Sequence, residues 1–168
     1  NNDNNTATVI GDNSIATAGL FGDNNDDNTA TASGFGSDAT AGGGPSGTAT
    51  PTGGNTGNEA TATDGGTAEA GFFGSDNDNN TATASGSGSL ARAGGGNVST
   101  LTLGNSNTGN EATATQGGTA EAGVNGNFND NNTATASDAG SLASAGSNAN
   151  DRDDKEATAT GGQTVVDP

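Results

Sequence analysis

The sequence predicts an all-β chain folded as a parallel β-solenoid, a single domain over residues 1–168. Three observations predict it. The chain repeats itself at a fixed offset, Thr and Ala alternate with period 2, and Gly, Asn and Asp punctuate the alternation. Residues 22–44, 74–96 and 126–146 are near copies at an offset of 52, and so are 57–71 and 109–123. Residues 155–166 resemble the second pair again, arriving 7 positions early. Self-similarity of fixed period signals a stack of units, each too small to bury an apolar side alone.

Composition taken by itself points to disorder. Large apolar residues (Ile, Leu, Val, Phe) number 17, Gly numbers 31, and the formal charge is −17 from 20 acidic and 3 basic residues. Such a chain cannot build a conventional two-layer core. A disordered linker, however, needs no phased alternation. The same figures exclude several functions. No apolar run is long enough to span a membrane. Without Cys there is no disulfide and no thiolate metal site. Without His, most acid–base and transition-metal chemistry is gone. The acidic surface repels nucleic acid and anionic lipid.

Taking each Thr-rich strand as the start of a coil gives about seven coils, beginning at Thr6, Thr29, Glu59, Thr81, Glu111, Thr133 and Glu156. Their lengths alternate between 22–23 and 30 residues, apart from a short sixth coil. Each coil opens with TATVI, TATAS or EATAT and turns at Gly, Asp or Asn. A second strand follows, of the kind IATAG, DATAG, TAEAG or LARAG, with TVV last. An irregular third side and an Asx-rich corner lead to the next coil. Period-2 alternation between such corners is a strand-and-turn pattern. Glu69, Glu121 and Arg92 share parity with Thr or Leu, so that parity faces solvent and Ala faces inward. The core is then a thin Ala ladder. Val9, Leu101 and Leu103 are expected to thicken it, together with Phe21, Phe72, Phe73 and Phe128.

Three groups of residues stand out as candidate sites. The middle outward position of the first strand is Thr8, Thr31, Thr61, Thr83, Thr113, Thr135 and Thr158, an unbroken ladder. Stacked Thr suits an outward β-face without any further role. It also suits close packing of a second solenoid. The Asx corners place Asp3, Asp26, Asp78 and Asp130 in one register, a candidate Ca²⁺ position built from oxygen ligands. Asn and Asp also form such turns without metal, so no cofactor is required. Asp151, Arg152, Asp153, Asp154 and Lys155 form a mixed-charge cluster near one end, a candidate end-to-end junction.

No cap is legible before the first corner or after the last strand, and an open solenoid end exposes unpaired backbone. The absence of an initiator Met and of a signal peptide fits a mature secreted chain. Asn4, Asn79, Asn97 and Asn131 lie in glycosylation sequons. Phosphate-loop and dinucleotide motifs are absent, and so is the carboxylate, basic and aromatic groove of a carbohydrate-active β-helix.

The copies NTATASG, DNNTATASG and GDNSIATAG resemble the Asn-Thr-Ala-Thr repeat proteins of secreted bacterial surfaces. The resemblance covers nearly the whole chain. It implies an extracellular β-solenoid with a structural or adhesive role and no catalytic residue. The expected function is therefore a self-assembling filament or surface-fibre subunit, its partner being further copies of itself. The alternative is an ice-binding protein, because ranks of Thr-x-Thr resemble the flat faces of several antifreeze proteins.

Overall fold

Alternating Thr and Ala place one side chain on each face of a strand in turn. A coil of two such strands buries Ala only if another coil lies against it. The chain meets that condition by stacking. In the computed structural model the described residues are 2–19, 24–34, 37–42, 54–64, 66–71, 76–86, 88–95, 106–124, 127–147 and 150–168. They form sixteen strands and no helix. Every strand pairing is parallel, and the protein is a parallel β-solenoid.

The first wall is a seven-stranded sheet. It contains β1 (Thr6–Ile10), β3 (Thr29–Ser33), β5 (Glu59–Thr63), β8 (Thr81–Ala84), β11 (Glu111–Thr115), β13 (Thr133–Ser137) and β15 (Glu156–Ala159), stacked in that order. The second wall stacks β2 (Ile15–Thr17), β4 (Asp38–Thr40), β6 (Thr67–Glu69), β9 (Leu90–Ala91), β12 (Thr119–Ala122), β14 (Leu142–Ala145) and β16 (Thr164–Asp167). Two short strands, β7 (Asn77–Asp78) and β10 (Asn107–Thr108), pair at the corner that enters the first wall. Consecutive strands of a wall come from consecutive repeats, here called rungs.

Between the walls lies a core made almost wholly of Ala. From Ala30 to Ala159, the inward Ala of both walls are 0–1 % exposed. Val124 is the sole larger apolar side chain buried among the described residues. The expected thickening is not found where it can be seen. Val9 has the inward parity, opposite Ala32, but lies on the outermost strand and is 48 % exposed. Phe128 occupies a corner position with φ 58 and is 52 % exposed. A left-handed corner turns its side chain away from the walls. Leu101, Leu103, Phe21, Phe72 and Phe73 lie outside the described residues.

Candidate functional site

The walls present two different outer faces. On the first wall Thr8, Thr31, Thr61, Thr83, Thr113, Thr135 and Thr158 stand in unbroken register. Thr6, Thr29, Glu59, Thr81, Glu111, Thr133 and Glu156 form one flank. Hydroxyls on this face repeat at about 4.8 Å between rungs and about 6.8 Å along a strand. From β3 to β13 the Thr side chains are half-buried by their neighbours above and below. Such crowding restricts the β-branched rotamers of this face.

The outer face of the second wall is mixed. Its columns run Ile15, Asp38, Thr67, Leu90, Thr119, Leu142, Thr164 and Thr17, Thr40, Glu69, Arg92, Glu121, Ser144, Val166. Arg92 sits between two glutamates: Nη1 is 2.9 Å from Glu69 Oε2 and Nε is 3.6 Å from Glu121 Oε1. Burial pushes the Glu69 carboxyl above its ordinary range, against the lowering pull of Arg92, and Asp38 and Glu121 add to the rise. Burial likewise raises Asp38.

The corner entering the first wall holds a feature that sequence reasoning missed. Its Asn residues form buried ladders. In the inner column Asn28, Asn58, Asn80, Asn110 and Asn132 are 0–1 % exposed. Each donates Nδ2–H to Oδ1 of the preceding rung at 2.9–3.0 Å. Each also donates its backbone N–H to that same oxygen at 3.0–3.1 Å. A further Nδ2 bond of 2.6–2.7 Å reaches a backbone carbonyl of the following rung. A second column, Asn25, Asn55, Asn77, Asn107 and Asn129, is equally buried. There Asn55 N–H donates to Asn25 Oδ1 at 3.1 Å and Asn129 N–H to Asn107 Oδ1 at 3.0 Å. Buried amides are tolerated because their donors and acceptors are met.

Gly123 and Gly146, which follow β12 and β14, belong to the same construction. A Cβ on Gly123 (φ +60) would stand 2.7 Å from Asn110 Oδ1, and one on Gly146 (φ +59) 2.7 Å from Asn132 Cγ. Gly is needed there both for the left-handed backbone and for the space the Asn fills.

The predicted carboxylate register is present. Asp26 Oδ1 accepts from Asp3 N–H at 2.7 Å, and Asp78 Oδ1 from Thr56 N–H at 2.9 Å. Asp130 Oδ1 accepts from Thr108 N–H at 2.8 Å, and Asp153 Oδ1 from Asp130 N–H at 3.0 Å. Thr56 and Thr108 thus separate the carboxylates between Asp26 and Asp130. Burial raises Asp78, while its bonds to Thr56 pull the other way and Asp76 adds to the rise. Among the described residues no three acidic side chains are grouped to hold a metal ion.

Of the charged cluster, Asp151, Arg152, Asp153 and Asp154 are exposed and Lys155 is half-buried. Lys155 Nζ lies 3.8 Å from Asp167 Oδ1. The two outermost rungs differ at their inward positions. At the first rung Ala7 and Val9 are exposed, Val9 by 48 %, whereas at the last Ala157 and Ala159 are 1 % and 0 % exposed. Outward apolar side chains are exposed at both: Ile10 and Ile15 at the first, Val166 at the last. Compared with known proteins, the chain matches no family model, no curated protein and no solved structure.

Proposed function

We propose that this chain is a structural, non-catalytic protein of the cell exterior, a stiff acidic rod that self-associates end-on into longer fibre-like assemblies. The observation that carries the reading is the stack itself: each strand of the first wall from β3 to β13 is paired in register by a parallel neighbour on both sides. A rung of the same pattern on another copy can continue that pairing, because a strand edge is a template for a further strand. The formal charge of −17 opposes sideways aggregation. This reading requires no cofactor, and Ca²⁺ at the Asp column stays secondary to it. Sedimentation and electron microscopy over a range of concentrations test the proposal. Rods longer than one solenoid are expected, and Val9→Lys with Ile15→Lys should abolish them. Monomers at high concentration sink it.

A second reading is favoured by one observation, the unbroken register of the Thr face on the first wall. A flat rank of methyls and hydroxyls suits adsorption to ice. Thermal hysteresis that vanishes on Thr83→Tyr with Thr113→Tyr would support it. Absence of hysteresis in the wild type removes it.

A further inference from the structure

The corner columns have a direction. In both asparagine columns the side chain of one rung serves the rung that follows. Asn110 Oδ1 accepts from Asn132 N–H at 3.1 Å, Asn132 Oδ1 from Lys155 N–H at 2.9 Å, and Asn129 Oδ1 from Arg152 N–H at 2.9 Å. In the carboxylate column the direction is reversed, and Asp153 Oδ1 serves Asp130 N–H of the rung before it.

The last rung departs from the pattern selectively. Asp153, which serves the preceding rung, is kept. Both positions that would serve a following rung are changed, to Arg152 and Lys155. Neither side chain carries a hydrogen-bond acceptor. On the second wall, pairing of β14 with β16 sets Asp167 beside Ala145, in the inward column that also holds Ala122. There Asp167 lies 3.8 Å from Lys155 Nζ and accepts from Glu156 N–H at 3.4 Å. The next position, Gly123 and Gly146 in earlier rungs, is Pro168, which has no N–H. The first rung shows the converse. Asn5 serves Asn28, Asn2 serves Asn25, and the column position that would serve a preceding rung remains Asp3.

We infer that Arg152, Lys155 and Asp167 cap this face of the solenoid, so that it disfavours a further rung and limits the length to which end-on assemblies grow. An added rung would bury Arg152 and the Lys155–Asp167 pair away from water. It would also leave its own corner N–H groups facing side chains without acceptors. The cluster expected as a junction is, on this inference, a stop. The inference refines the end-on association proposed above and rests on it.

The test restores the ladder residues with Arg152→Asn, Lys155→Asn and Asp167→Ala in one chain. A charge-keeping control carries Arg152→Lys and Lys155→Arg. Sedimentation velocity and electron microscopy read the length of the assemblies. The triple variant should form assemblies several-fold longer than the wild type, and the control should stay at wild-type length. Wild-type assemblies as long as those of the variant overturn the cap. So does a triple variant with a wild-type circular dichroism spectrum that assembles no further than the wild type. If the triple variant does not fold, Arg152→Asn with Lys155→Asn gives the same comparison with Asp167 kept. A wild type that stays monomeric sinks the end-on reading alone, because the cap is still judged by whether the variant assembles.

Discussion

The Ala wall and the Asn corner are both fully buried, yet they hold the stack by different means. Ala112 and Ala114 are 0 % exposed and bring only methyl groups to the core. Burying one methyl stabilises by about 0.8 kcal/mol. Asn110, 1 % exposed, bonds to Asn80 Oδ1, to the Asn129 carbonyl and to two donors of Asn132. Removing it strands polar groups that have no access to water. The difference teaches that a solenoid this thin draws its rigidity from a satisfied polar column as well as from apolar burial. Wall residues can shrink at modest cost, whereas corner residues cannot be exchanged singly.

Asn110→Ala should break the comparison most forcefully. Asn132 would lose the acceptor for both its N–H and its Nδ2, and the Asn129 carbonyl would lose a donor. At about 1–3 kcal/mol for each stranded group, the loss should be about 4 kcal/mol, read by urea denaturation. A loss as small as that of a wall substitution would dissolve the distinction. Gly123→Ala comes next. It adds a Cβ at φ +60 and 2.7 Å from Asn110 Oδ1. The left-handed backbone alone costs about 1–2 kcal/mol, and displacement of Asn110 adds to it. Ala112→Gly removes one methyl and frees the unfolded backbone, for an expected loss of about 1.5 kcal/mol.

The smallest expected effect concerns pH. Glu69, Asp38 and Asp78 all have their pKa raised by burial. A carboxyl whose folded pKa lies above its unfolded value binds its proton more tightly in the folded state. Its contribution therefore favours folding on the acid side and is lost as pH rises through the folded pKa. Thermal denaturation should show higher stability just above the ordinary carboxylate range than at neutral pH. Glu69→Gln should flatten that slope in part. A stability that only falls on acidification would contradict the assignment.

Much of the wall was legible in the sequence. Glu69, Arg92 and Glu121 set the parity, and the parity set Ala inward. The register followed from the offset between copies, since a one-residue slip would turn every Ala outward. The corner was read only as turns, because Asn is common in turns for local reasons. The signal was present inside the repeats. Asn5, Asn28, Asn58, Asn80, Asn110 and Asn132 stand immediately before six successive first-wall strands, and Lys155 takes that place only before β15. Their neighbours Asp27, Gly57, Asn79, Gly109 and Asn131 vary. These neighbours have φ between 54 and 67, so they share a left-handed backbone rather than a side chain. Position-by-position invariance within the chain therefore separates a buried Asn from a turn Asn. Val9 failed as a core residue because parity says which way a side chain points but not whether another rung covers it. Phe128 failed because it falls on a left-handed corner rather than on a strand, so parity does not apply to it.

Native-state hydrogen exchange tests the central claim, that the buried Asn corner is as firm a part of the stack as the Ala walls. The backbone N–H groups of Asn58, Asn80 and Asn110 should exchange as slowly as those of Ala82 and Ala112, opening only with global unfolding. Exchange of the Asn groups many times faster than that of the Ala groups, in an otherwise folded protein, would contradict it.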